Sequence, residues 1–342
     1  MEKEFNPNDV GIANGNYFGL PDSPQQAEIN LLPVTWDATV SYGAGTAQGP
    51  QAILDASLQV DLFDPYVPQA WRVKLGTLPF NRDLEKMNRQ ARELAESVIA
   101  RLEAGQEADR QALDRVNELS EQVNDYVYRT VAGELKAGKI VGLVGGDHSS
   151  PFGAIKAAGE HFGAFGILHI DAHADLRQAY EGFVYSHASI MYNSLQQVPE
   201  LTRLVQVGIR DYCEQEDALI RDHEKIVAFG DAQVRRRMFE GTGWGQICDE
   251  ILAALPDQVY ISFDIDGLLP VYCGGTGTPV PGGLEFAEAE YLLARISESG
   301  KRIIGFDLCE VAPVTEGEWD ANVGARMLFK LVQHTRWSNR KK

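Results

Sequence analysis

The chain has 342 residues, 44% of them hydrophobic, and a formal net charge of −18. An acidic balance this strong disfavours nucleic acid and anionic membranes as partners, and it would draw in a small cation. No apolar run approaches the ~20 residues of a membrane helix, Met1–Asn6 has neither the basic nor the apolar part of a secretory signal, and the four cysteines form no C-x-x-C pair, so a reduced, cytoplasmic chain is expected.

Residues 1–24 are polar and rich in Asn, Pro and Gly, which predicts an irregular arm. Ala27–Val34 reads as the first strand. A loop of small residues, Trp36–Gly49, leads to a helix near Gln51–Leu58, with Pro50 suited to its first turn. Arg72–Leu78 reads as a second strand. Residues 84–137 are helical: Leu84–Ala104 and Ala108–Leu135 carry apolar residues at helical spacing, and Gly105 and Gly138 suit their ends. The charged faces of these two helices are expected to meet solvent. From residue 139 strands alternate with helices. The strands are Lys139–Val144, Phe165–Ile170, Arg203–Gly208, Lys225–Phe229, Gln258–Phe263 and Arg302–Phe306. The helices are Pro151–His161, Glu214–Asp222, Ala232–Phe239, Trp244–Leu255, Glu285–Ser299 and Ala321–His334. Such alternation predicts an α/β fold with a mostly parallel sheet covered on both faces. With no linker, repeat or low-complexity segment, residues 1–342 read as one domain.

Four of these strands run into clusters of polar residues. Val141–Val144 leads to Gly145-Gly146-Asp147-His148-Ser149. Phe165–Ile170 leads to Asp171-Ala172-His173-Ala174-Asp175. Val259–Phe263 leads to Asp264-Ile265-Asp266-Gly267, and Ile303–Phe306 to Asp307-Leu308-Cys309-Glu310. Ligands of open α/β sheets lie beyond the carboxyl ends of the strands, so these clusters are expected to share one crevice. Alternate spacing puts Asp171, His173 and Asp175 on one side of an extended segment, and likewise Asp264 and Asp266. So many carboxylates together would repel one another without a cation. Oxygen ligands mixed with imidazole suit Mn, Fe, Co, Ni or Zn more than Ca or Mg. Six ligands, with Asp171 and Asp264 central enough to be shared, fit two ions better than one. Two ions about 3.5–4 Å apart lower the pKa of a water between them and supply a nucleophile without Ser or Cys. His169, inside its strand, is expected to pack rather than ligate, and Cys273 to be packed as well.

The blocks Gly145–Ser149, Asp171–Asp175 and Ser262–Gly267 resemble, in order and spacing, those of the ureohydrolases, the family of arginases and agmatinases, over roughly residues 28–335. The resemblance implies a three-layer α/β/α fold, two divalent ions and hydrolysis of a guanidino group to urea and an amine. By motif position it assigns His148, Asp171, Asp175 and Asp264 to one ion, and Asp171, His173, Asp264 and Asp266 to the other. Manganese is expected first and nickel second. Glu310 matches the glutamate that pairs with the guanidinium, a planar partner for a carboxylate. His187, in Tyr185-Ser186-His187-Ala188-Ser189, matches a histidine that could protonate the leaving amine, since an ordinary His pKa lies near working pH. Asp266 would help orient the intermediate, and Thr46 would join His187 and Glu310 in binding substrate. Agmatine is the first expected substrate, with free or substituted guanidine and 4-guanidinobutyrate as alternatives. A silent metal-binding subunit beside an active paralogue is a further alternative. A homo-oligomer, trimer or hexamer, is also implied. The chain departs from many relatives at Leu269, where they carry Asp, in Val271–Gly275, at Ala188 and at Thr46.

Overall fold

A computed structural model describes residues 5–313 and 318–340; Met1–Glu4 of the expected arm lie outside the described residues. Eight strands form one sheet: β1 Ile29–Pro33, β2 Leu75–Thr77, β3 Ile140–Val144, β4 Phe165–Ile170, β5 Leu201–Val207, β6 Ile226–Phe229, β7 Gln258–Asp264 and β8 Arg302–Cys309. Their order is β2-β1-β3-β8-β7-β4-β5-β6, and every neighbouring pair is parallel. All carboxyl ends therefore lie on one edge. The last strand of the chain, β8, sits between β3 and β7.

The ten α-helices are α1 Gly49–Ser57, α2 Arg82–Glu103, α3 Arg110–Lys136, α4 Phe152–Phe162, α5 Ile190–Gln197, α6 Glu214–Asp222, α7 Asp231–Phe239, α8 Trp244–Ala254, α9 Phe286–Glu298 and α10 Trp319–Ser338 among the described residues. Strand residues alternate between two cores, as a pleated backbone requires. In β7, Val259 and Ile261 join the cluster of α1, α8, α9 and α10, while Tyr260 joins that of α4 and α5. In β8 a register shift past Ile304 interrupts the alternation, so that Ile303 and Phe306 both join the first cluster and Ile304 the second. This is a three-layer α/β/α arrangement. Buried runs such as Phe165–Ile170 are apolar at nearly every position because helices cover both faces.

The long charged helices are set by their ends. Asn81 caps α2 by accepting from the Asp83 and Leu84 N–H groups, and Asp109 caps α3 through Gln111 and Ala112. Gly105 and Gly138, both at positive φ, follow the two helices as expected. The arm is irregular but anchored. Tyr17, Phe18 and Leu20 are buried, and the Tyr17 hydroxyl donates to the Pro50 carbonyl at 2.8 Å. Helix α5 is the one helix missing from the sequence expectation, and β8 runs three residues further than expected, to Cys309. No described helix is long and apolar enough to cross a membrane.

Helix α10 carries a buried histidine. His334 Nδ1 lies 3.0 Å from Ser297 Oγ on α9, and Nε2 has no partner. Burial lowers the His334 pKa to about 4, against the pull of Asp64 and together with Lys330. The unfolded chain takes up this proton near pH 6.5, and the folded chain only near 4. Stability is therefore fully present above about pH 6.5 and falls as pH drops toward 4. Denaturant unfolding of the metal-free chain should show a steeper loss over that range than His334→Gln does. Equal slopes would remove His334 from the account.

Candidate metal centre and active site

The blocks at the ends of β3, β4, β7 and β8 meet in one crevice. His148 Nδ1 lies 2.9 Å from Asp171 Oδ2, 3.1 Å from Asp175 Oδ2 and 3.4 Å from Asp264 Oδ2. Asp175 Oδ2 is buried and takes part in no hydrogen bond. Beside this group lies a second, in which His173 Nδ1 is 3.0 Å from Asp266 Oδ2 and 3.5 Å from Asp171 Oδ1. The groups His148, His169, Asp171, Asp175 and Asp171, His173, Asp266 each converge closely enough to hold an ion. Asp264 borders both: its Oδ2 faces His148, and its Oδ1 accepts from the Asp266 N–H at 2.8 Å.

Local backbone explains the placement. Gly146 is required because a Cβ there would lie 1.9 Å from the Trp36 carbonyl oxygen, and Gly267 because one would lie 2.8 Å from the Asp171 nitrogen. Alternation along Asp171–Asp175 buries Ala172 and Ala174. It ends at Asp175, whose φ is +53°. Glu310 has φ +64°. Non-glycine residues in this region cost on the order of 1–3 kcal/mol each and persist where surrounding bonds fix them. The Asp175 carbonyl accepts from the Met191 and Tyr192 N–H groups at the start of α5. The Glu310 N–H donates to the Gly146 carbonyl at 2.8 Å.

The electrostatics are those of an anionic site short of positive charge. Burial alone would raise the Asp171 pKa, but His169, His148 and His173 hold it well below the usual carboxylate range. Burial, with Asp266 and Asp171 beside it, pushes Asp264 well up. Burial and Asp171 raise Asp175 to about 6. Burial opposes protonation of His173, but Asp266 and Asp171 outweigh it and push that pKa to about 12. A donor set in which Asp175, Asp264 and His173 hold protons this firmly, with the buried Asp175 Oδ2 left without a hydrogen bond, fits divalent cations.

A cavity of about 180 Å³ opens on His148, His173, Asp175 and Asp264 and is also lined by His187 and Glu310. The Glu310 Oε1 accepts from the His148 N–H at 2.9 Å, a bond that leaves Oε2 unused. Burial and the neighbouring Asp147 raise the Glu310 pKa well above its ordinary value. His187 is half-buried, its ring edge-on to Tyr180 at 6.3 Å and its N–H bonded to Thr39 Oγ1 at 3.3 Å. Burial and the nearby His173 lower its pKa to about 4. This corrects the expectation of an ordinary pKa: His187 enters neutral. Thr46 does not line the cavity. It is fully buried in the turn before α1, its hydroxyl without a hydrogen-bond partner. Cys273 is packed in the core, as expected, and Leu269 is tied into its loop by an N–H bond to the Leu284 carbonyl.

A family model described as "Arginase family" matches residues 27–333. The chain belongs to the arginase family. An N(1)-aminopropylagmatine ureohydrolase of Thermus thermophilus is 35% identical over 91% of this chain and 91% of its own length. An agmatinase of Bacillus anthracis is 27% identical over 85% of both chains. The crystal structure of an agmatine ureohydrolase of Thermoplasma volcanium superposes with a TM-score of 0.71 at 22% identity, covering 95% of this chain and 96% of the other, and so shares the fold.

Within this arginase-family frame, three placements escaped sequence reasoning. Asp37 fixes the first loop: its Oδ2 accepts from Gly45 and Ala47, and Asn88 bonds to it through both amide atoms. Arg210 donates to the carbonyls of Gly208, Asp266, Leu268, Val280 and Pro281, pinning the loop after β7. His169, expected only to pack, lies 2.8 Å from Asp171 Oδ2. A polar residue inside an otherwise apolar strand, two positions before a candidate ligand, was the available signal.

Proposed function

We propose that this arginase-family chain is a binuclear-metal amidinohydrolase that cleaves a guanidino compound, agmatine first, to urea and an amine. The observation that carries the reading is the shared crevice. Its paired His and Asp groups open on the same cavity as Glu310 and His187. His148, Asp171, Asp175 and Asp264 would hold one ion and Asp171, His173, Asp264 and Asp266 the other, manganese before nickel. When bound, the two ions supply a nucleophile at neutral pH by lowering the pKa of water and stabilise charge at the reacting carbon. Glu310 receives the guanidinium through Oε2 and the free lone pair of Oε1, and that cation favours its ionised form. His187, neutral before the reaction, accepts a proton and delivers it to the departing amine. Asp266, held by the Ala172 N–H at 2.9 Å, keeps a fixed carboxylate beside the reacting centre.

At the cavity mouth Arg177 is paired with Glu216 at 3.1 Å, and Asp211 adds an exposed carboxylate. This favours a cationic tail over 4-guanidinobutyrate and admits N(1)-aminopropylagmatine, the substrate named for the Thermus relative, as the second reading. One domain across 1–342 is part of the same proposal, since a single sheet gathers strands from Ile29 to Cys309. So are a cytoplasmic location and a trimer or hexamer. Urea release by manganese- and nickel-loaded protein from agmatine, N(1)-aminopropylagmatine, 4-guanidinobutyrate, guanidine and arginine tests the reaction and ranks the substrates. Agmatine should lead, and phosphate monoesters should not turn over. Comparable phosphate release would place the site among binuclear phosphatases instead. A chain that binds metal but releases no urea from any of them would be the silent subunit.

A further inference from the structure

His169 is fully buried in β4, and both ring nitrogens are engaged. Gln206, directly across from it on β5 and equally buried, points its side-chain nitrogen at the Ala174 carbonyl, 2.8 Å away, and at His169 Nδ1, 2.9 Å away. A backbone carbonyl only accepts, so it fixes which end of the amide faces it. Turned over, the amide would set its oxygen against that carbonyl. Nδ1 therefore receives an N–H and holds the ring lone pair. The ring proton then sits on Nε2, 2.8 Å from Asp171 Oδ2. An imidazole in this tautomer has no lone pair on Nε2 for an ion.

The Asp171 carboxylate is held at both ends. His169 donates to Oδ2, and the His173 N–H donates to Oδ1 at 2.6 Å. Each oxygen has two lone pairs. One on each is taken by a fixed donor, which leaves one on each for a cation, directed to opposite groups of the crevice.

We infer that His169 is a positioning residue and not a metal ligand: it fixes Asp171 as the carboxylate shared between two ions, in a tautomer that Gln206 imposes. This rests on the two-ion reading above. Outer partners of metal ligands are typically worth ~10–100-fold in metal affinity.

The test is Mn²⁺ binding to the metal-free full chain, followed by the EPR signal of free Mn²⁺, for wild type, His169→Phe, His169→Gln and Gln206→Leu. His169→Phe keeps the ring shape and loses the donor. It should still take two ions at saturation, with the weaker site loosened about 10–100-fold. His169→Gln returns an N–H near the Nε2 position and should recover most of that loss. Gln206→Leu frees the tautomer and should loosen the same site by a smaller factor. Loss of one ion at saturation in His169→Phe would make His169 a ligand and overturn the inference. Wild-type affinity in both His169→Phe and Gln206→Leu would overturn it too. If His169→Phe does not fold, judged by circular dichroism, Gln206→Leu decides alone: loosened binding supports the inference, and wild-type binding overturns it. Fewer than two ions on the wild-type chain would instead fail the two-ion reading, and the inference with it.

Discussion

Asp171→Ala should leave a folded chain that holds less than one ion after manganese loading and releases almost no urea. Asp171 Oδ2 lies 2.9 Å from His148 in one group, and Oδ1 lies 3.5 Å from His173 in the other. Removing this carboxylate takes a donor from both ions at once. The loss of activity should exceed the ~10–100-fold typical of an outer partner. His148→Ala should mainly weaken one ion, because its Nδ1 faces the first group. Asp264→Ala should resemble Asp171→Ala. Elemental analysis beside urea assays separates these cases. Two firmly held ions in Asp171→Ala would contradict its shared role.

Glu310→Gln and His187→Ala should damage the reaction while leaving metal content near wild type. Glu310 touches His148 through a backbone N–H, not through the imidazole. Glutamine keeps that acceptor but loses the charge that meets a guanidinium. Both binding and rate should fall, with kcat/KM down on the order of 10²–10³-fold, the range for a lost electrostatic partner. His187→Ala should lower kcat by something like 10²-fold with a smaller change in KM, as for a positioned acid–base group. Because the His187 pKa is pushed down to about 4, its neutral form prevails from about pH 5 upward. The wild-type rate should therefore not fall between pH 6 and 8 through deprotonation of His187. A His187→Ala enzyme with full kcat on its best substrate would leave proton delivery to bulk water.

The eight strands were legible because a sheet covered on both faces needs short apolar runs, and turn residues bound them clearly. The candidate ligands were legible because each block begins where such a run stops. What sequence could not carry was contact across distance. Asp37 and Asn88 are 51 residues apart in the chain, and neither belongs to a local pattern. Arg210 acts on carbonyls of a distant loop. Helix α5 is only eight residues long and follows a polar loop, so its period was too brief to read. The left-handed backbone of Asp175 and Glu310 follows from tertiary bonds rather than residue type. The neutral state of His187 follows from burial beside His173, which no motif spacing expresses.

The position of β8 has a consequence for how the protein is made. Until residues 302–309 leave the ribosome, the chain can form two incomplete sheets, β2-β1-β3 and β7-β4-β5-β6, with no strand joining them. His148 belongs to the first, and Asp171, Asp175, Asp264 and Asp266 to the second. The last strand closes the gap and brings Glu310 with it. A nascent or truncated chain lacking β8 would hold the carboxylates but not the assembled crevice. Asp171, His173 and Asp266 can meet before that point, but the group that needs His148 is complete only when one late strand turns two half-sheets into a single scaffold.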